Sequence, residues 1–154
     1  GRHRGPAALL ALDGVTTPAN VGMSLRSAVA AGVDGIILPR HGAAGLGPLV
    51  IKASAGLAFS APVLKCERIE EALDQLGAAG FERLGLAGEG TEDLFALSPP
   101  ERAVWVLGNE SEGLSAGARA RIDRFVRIPM ADGVESLNVA CAATLVAFAA
   151  MRRG

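Results

Sequence analysis

Short apolar runs punctuated by glycine, proline and charge alternate along the chain with stretches of helical spacing. Ala7–Asp13 (AALLALD) reads as a buried strand and Gly35–Pro39 (GIILP) as another, and Pro62–Lys65, Arg83–Ala87, Ala103–Leu107 and Phe125–Ile128 repeat the theme. Continuous short apolar runs, without polar residues at every second position, suit strands covered on both faces, as in a parallel sheet. Val21–Ala31, Ile69–Ala79, Ala116–Ile122 and Asn138–Arg152 have the spacing of helices. This order predicts an α/β domain, an open and mostly parallel sheet with helices on both faces. The last helix is apolar nearly all round (Val139, Ala140, Cys141, Ala142, Ala143, Leu145, Val146, Phe148, Met151), so it needs cover on every side and a homodimer is expected.

Composition narrows the partners. The 154 residues are half hydrophobic and one-fifth charged, with five Phe, one Trp and no Tyr, so the core must be aliphatic. A net charge of -1 excludes nucleic-acid binding by bulk electrostatics; an RNA or DNA partner needs a local patch, a second domain or a second subunit. Arg2, His3 and Arg4, then Arg40 and His41, then Arg152 and Arg153 are the candidate patches, and each also reads as ordinary solvated charge. The cysteines Cys66 and Cys141 and the histidines His3 and His41 have no metal-ligand spacing, so no metal is expected, and Cys141 reads as a small buried hydrophobe. The uncharged run Ser136–Met151, at 16 residues, falls short of the ~20 a membrane span needs, and no signal peptide is visible; a cytoplasmic place is expected. Gly1–Gly5 (GRHRG) looks like the tail of a connector.

Candidate chemistry falls in three polar islands. In the first, Thr17 to Ala28, Arg26 is the only charged residue between Asp13 and Asp34, preceded by Asn20 and Gly22. Either Arg26 faces solvent with Ser27 while Asn20 caps a helix, or the pair serves a ligand. The second runs from Val104 to Ser115, where an apolar strand ends at Leu107 and Gly108 and Asn109, Glu110 and Glu112 follow. Loops beyond the C-terminal ends of parallel strands are where open α/β sheets bind ligands, and Gly108 and Gly113 would let backbone pass close to a flat group. The bland alternative is a solvated turn with Ser115 capping the next helix. The third runs from Ile128 through Pro129 and Met130 to Ser136, Leu137 and Asn138, with Ser136 a ready N-cap at a helix start that also suits polar ligand atoms.

Together the islands resemble the SpoU (TrmH-like) family of RNA ribose 2′-O-methyltransferases, in the knotted SPOUT superfamily. Asn20-Val21-Gly22 with Arg26 resembles its first motif, Leu107 to Glu110 with Gly113-Leu114-Ser115 its second, and Ile128-Pro129-Met130 with Ser136 to Val139 its third; Asp13 to Thr16, Ala31 to Gly35 and Ser54 to Gly56 also match. One departure is Ser111, where many relatives carry Gly. The resemblance implies a deep C-terminal trefoil knot, a homodimer through the knot region and the last helix, and S-adenosyl-L-methionine as methyl donor to a ribose 2′-hydroxyl of rRNA or tRNA. It implies that residues 7–154 form the catalytic domain and 1–6 the remnant of a linker from an N-terminal RNA-recognition domain. By resemblance Arg26, Asn20, Glu110, Ser136 and Asn138 are the catalytic set, with Glu110 offering a charge-assisted bond to Arg26. Leu107, Gly108, Ile128, Met130 and Leu137 match cofactor-contacting positions, and Leu86, Ala87 and Gly88, at another strand end, join them. Two other readings stand beside this one: a SPOUT enzyme that methylates a tRNA base, and a non-catalytic RNA-binding module that keeps the fold. A nucleotide-binding oxidoreductase domain is disfavoured, because no G-x-G-x-x-G turn opening a helix follows the first strand.

Overall fold

A computed structural model of the chain describes residues 5–40, 63–134 and 136–152. Arg2, His3, Arg4, His41, Arg153 and the Ser54 to Gly56 stretch lie outside them. The described residues form β1 (Ala7–Asp13), α1 (Pro18–Ala31), β2 (Gly35–Pro39), β3 (Val63–Cys66), α2 (Ile69–Ala78), β4 (Glu82–Leu86), β5 (Glu92–Asp93), β6 (Arg102–Gly108), α3 (Ala116–Arg119), β7 (Arg124–Arg127) and α4 (Val139–Ala150). The strands make one sheet in the order β3-β2-β1-β6-β4-β7-β5, and every pairing in it is parallel.

Strand alternation sorts the core into two halves. On one face Ala8, Leu10, Leu12, Trp105 and Leu107 pack with Val21, Leu25 and Ala28 of α1 and with Ala143, Val146 and Ala147 of α4. Leu9, Ala11, Val104 and Val106 point the other way, onto Ile69 and Leu73 of α2 and onto Leu114 and Ala118. Each fully buried aliphatic side chain contributes about 1.5–3 kcal/mol, and both faces of β1 and β6 are used, as their unalternated sequences require.

Most element boundaries lie within a residue or two of those the sequence predicts. Helix α1 instead starts three residues early, at Pro18, because proline at the first helical position loses no hydrogen bond and has φ already set. Helix α3 is a single turn ending at Arg119, three residues short of the expected Ile122. The two-residue edge strand β5 was not expected: Glu92 and Asp93 are charged and belong to no apolar run. They pair with Val126 and Arg127, and Glu92 with Glu82 holds Arg124 in ion pairs of 2.6 and 3.1 Å.

Helix α4 buries one side and leaves Cys141, Leu145 and Phe148 in an exposed stripe, so Cys141 is not the buried hydrophobe its Ala-rich setting suggests. Against α1 it packs through an unusual polar contact, Ser27 Oγ to Thr144 Oγ1 at 2.6 Å. Among the described residues no helix is long and apolar enough to cross a membrane, and no group of His, Cys, Asp and Glu is placed to hold a metal.

Candidate active site

Parallel pairing of β1 with β6 brings Asp13 level with Gly108, so the loops that leave these two strands run side by side. After Gly108 the chain makes a tight turn closed by reciprocal backbone hydrogen bonds between Asn109 and Gly113, at 2.9 and 3.0 Å. The Asn109 carboxamide locks it: its Oδ1 accepts from Ser111 N and Glu112 N, and its Nδ2 donates to Gly14 O at 2.9 Å. Asp13, buried at the end of β1, accepts from Ser115 N at 2.7 Å, and Ser115 in turn caps α3 by accepting from Ala118 N. A Cβ at Gly108 would overlap the Gly113 and Leu114 backbone. The close approach of the returning turn by itself makes a glycine necessary at position 108.

This turn presents Glu110 to the start of α1. Its carboxylate accepts from Thr16 N at 3.3 Å, Thr17 N at 3.0 Å and Asn20 Nδ2 at 3.2 Å. Helix N-termini carry unpaired N–H groups and favour negative charge, so the carboxylate complements α1 there. Partial burial works against the charge, but the bonds from Thr17, its own backbone and Asn20 outweigh it and hold the carboxyl down at about 2.

Asn20, 7% exposed, carries the connection onward. Its Oδ1 accepts from Asn138 Nδ2 at 3.1 Å, while Asn138 Oδ1 accepts from Ala140 N at 2.8 Å and Cys141 N at 3.3 Å. Asn138 is thus the N-cap of α4, the place the sequence offers to Ser136, and Thr17 rather than Asn20 stands at the N-cap of α1. Glu110, Asn20 and Asn138 form one hydrogen-bonded chain joining all three islands.

Arg26 stands apart. It is exposed and makes no hydrogen bond or ion pair among the described residues, so the expected Arg26–Glu110 pair is absent. The reason is the helix itself: Glu110 is held at the first turn, and Arg26 lies six residues beyond Asn20, roughly 9 Å along the axis. Met23, three residues earlier on α1, is exposed as well.

A cleft of about 350 Å³ opens between the ends of β4 and β7. It gathers six of the expected cofactor positions, Leu86, Ala87, Gly88, Ile128, Met130 and Leu137, together with Ser136. Leu107 and Gly108 are not in its wall; Leu107 is buried in the core beneath α1 and α4. Local sequence explains the shape: Ala87 N donates to Val126 O at 2.9 Å, and Gly90, where a Cβ would lie 2.6 Å from the Val126 backbone, lets the turn after β4 press onto β7. Arg127, Pro129, Val134 and Ala142 also line the cleft and were not anticipated. The usable signal for Arg127 was its position at a strand end directly before Ile128.

Three comparisons bear on this arrangement. A 23S rRNA (guanosine-2'-O-)-methyltransferase, RlmB, of Xylella fastidiosa strain Temecula1 is 42% identical over 97% of this chain and 60% of its own length. The SpoU methyltransferase AviRb of Streptomyces viridochromogenes, solved in complex with the cofactor AdoMet, superposes with a TM-score of 0.88 at 33% identity, covering 97% of this chain and 61% of that one. A structure concerned with 2-OH methylation on tRNA matches with a TM-score of 0.83 at 26% identity over 94% of both chains. The chain spans about three-fifths of the length of the curated relatives it matches. The SpoU rRNA Methylase family model matches residues 7–148, which contain all three islands, and the chain belongs to that family.

Proposed function

We propose that this chain transfers a methyl group from S-adenosyl-L-methionine to a ribose 2′-hydroxyl of structured RNA, with ribosomal RNA the favoured substrate. The observation that carries the reading is the Glu110–Asn20–Asn138 chain, which ties the three family motifs into one polar site in a member of this family. The similarity to a 23S rRNA 2′-O-methyltransferase supports ribosomal RNA. A tRNA ribose is the second reading, supported by the match over nearly the full length of the tRNA-directed structure.

The cleft fits the methyl donor in size and chemistry. Ligand sites run from about 300 to 1,000 Å³ and are mainly apolar with a few polar groups. Here Leu86, Ile128, Pro129, Met130 and Leu137 offer apolar cover for a purine and a thioether chain, while Arg127, Ser136 and main-chain groups supply polarity. When bound, the cofactor supplies a methyl group activated by its sulfonium. The protein's part is alignment and electrostatics.

Arg26 stabilises the negative charge that develops on the ribose oxygen. A guanidinium with a pKa above about 12 holds its proton and is poorly suited to taking another from the hydroxyl. Asn20 and Asn138 fix the starts of α1 and α4 relative to each other, and Glu110 fixes the second-motif loop to the start of α1. These three are positioning residues for Arg26 and the substrate, and Ser136, which lines the cleft, is the fourth polar side chain assigned to the substrate.

Dimerisation belongs to this reading. Phe148 (53% exposed) and Leu145 on α4 and Met23 on α1 are left uncovered, and a second copy that buried them would place α1, and Arg26 with it, at a site shared by two subunits. The knot implied by the resemblance is proposed with it, as is a cytoplasmic place.

The test is incubation of the protein with methyl-tritiated S-adenosyl-L-methionine and ribosomal RNA, followed by nuclease digestion and mass spectrometry. Label in a 2′-O-methylnucleoside is expected. Label in a base, or S-adenosyl-L-methionine binding with transfer to no RNA, would overturn the reading.

A further inference from the structure

Arginines are numerous on the β4–β7 side of the molecule, and the half-buried ones there are nearly all answered by acids. Arg83 is bonded to Asp123 at 3.1 Å, Arg121 to Asp74 at 2.9 Å, and Arg124 to Glu82 and Glu92. Arg127, three residues along the same strand from Arg124, is also half-buried, yet its guanidinium has no ion pair or hydrogen bond among the described residues. It lines the cleft with Leu86, Ala87, Gly88, Val134, Ser136 and Leu137. A cation partly withdrawn from water without a counter-charge is unfavourable, and the deficit is relieved by an anion entering the cleft.

We propose that Arg127 grips the carboxylate of the methionine moiety of S-adenosyl-L-methionine and so is a specificity-determining residue for the methyl donor. This rests on the methyl-donor reading of the cleft. Within that cofactor the adenine and ribose are neutral and the sulfonium and ammonium are positive. Its carboxylate is the single anionic group, and a planar guanidinium matches it with two parallel hydrogen bonds. An RNA phosphate is the competing anion. The carboxylate is favoured because it arrives joined to the uncharged adenosyl group, which the apolar residues Leu86, Ile128, Met130 and Leu137 suit, and the RNA arm of the test below separates the two.

The test compares two ligands that differ in this group. S-adenosylhomocysteine keeps the amino-acid carboxylate, and 5′-methylthioadenosine lacks it. Titration calorimetry is run on the wild-type protein, Arg127→Gln and Arg127→Lys, with thermal unfolding to establish that each variant is folded. Arg127→Gln is expected to weaken S-adenosylhomocysteine by about 10-fold or more while 5′-methylthioadenosine stays within about 2-fold, and Arg127→Lys to recover part of the loss. Equal loss for both ligands, no loss for either, or a loss confined to RNA in a filter-binding titration would each overturn the assignment. A wild-type protein that binds neither ligand would remove the methyl-donor reading itself, and this proposal with it.

Discussion

Replacing Glu110 by Gln tests the polar chain at its most informative link. The side chain keeps its shape and one acceptor oxygen, but the other oxygen becomes an NH₂ group turned toward Thr16 N, Thr17 N or Asn20 Nδ2, all of which donate. Hydrogen bonds to a charged group are worth about 1.5–3 kcal/mol each when well buried. Glu110 is exposed, so solvent screening reduces the three together to roughly 2 kcal/mol. For a domain of this size that corresponds to a fall in Tm of about 4–8 °C. The pH dependence follows from the low carboxyl pKa of about 2. Because it lies below the ordinary value near 4.3, the stabilisation is fully present above that value and is lost as pH falls through 2. Thermal unfolding of wild type and Glu110→Gln at pH 7 and pH 3 should therefore show a gap that narrows at pH 3, by roughly half. A variant melting within about 1 °C of wild type at pH 7, or a gap unchanged at pH 3, would refute the claim that this carboxylate clasps the start of α1.

Three further predictions probe separate parts of the account. Arg26→Ala should nearly abolish methyl transfer in the tritiated assay while calorimetric cofactor affinity stays unchanged; because Arg26 is exposed and makes no hydrogen bond or ion pair among the described residues, stability should move by less than about 0.5 kcal/mol. Gly108→Ala forces a Cβ into the Gly113–Leu114 backbone and should destabilise the domain by about 1–3 kcal/mol in urea unfolding, with more lost if the turn cannot shift. Phe148→Glu places a charge in the exposed apolar stripe of α4 and should shift the protein from dimer to monomer in light scattering after gel filtration, with its unfolding midpoint becoming independent of protein concentration.

The layered α/β architecture was legible because its signals are local. Ala7–Asp13 and Gly35–Pro39 are apolar without alternation, and both strands occupy those residues. Edge strand β5 was hidden because Glu92 and Asp93 are strands only through pairing with Val126 and Arg127. The site was legible as a set of residues and illegible as a set of contacts. Glu110 and Asn20 are 90 positions apart, and what joins them is the parallel register of β1 and β6. The family resemblance led to the expectation that Glu110 pairs with Arg26, the only charge in its segment. The fold instead gives the carboxylate to backbone N–H groups at the helix start, which no side-chain pattern reveals. Gly108 shows the same limit: a glycine before a turn signals close approach, but only the structure identifies the approaching chain as Gly113 and Leu114. Arg127 is not legible in the sequence, because an arginine in a charged stretch is ordinary; only the fold shows its neighbours paired and its own guanidinium without a partner among the described residues.

The most direct test of the central claim is a map of ribose methylation in ribosomal and transfer RNA from cells with and without the gene, made by mass spectrometry of nuclease digests. The account predicts the loss of one 2′-O-methyl group, in ribosomal RNA on the favoured reading, restored by the wild-type gene and not by the Arg26→Ala variant. Unchanged ribose methylation accompanied by the loss of a base methyl group would contradict it.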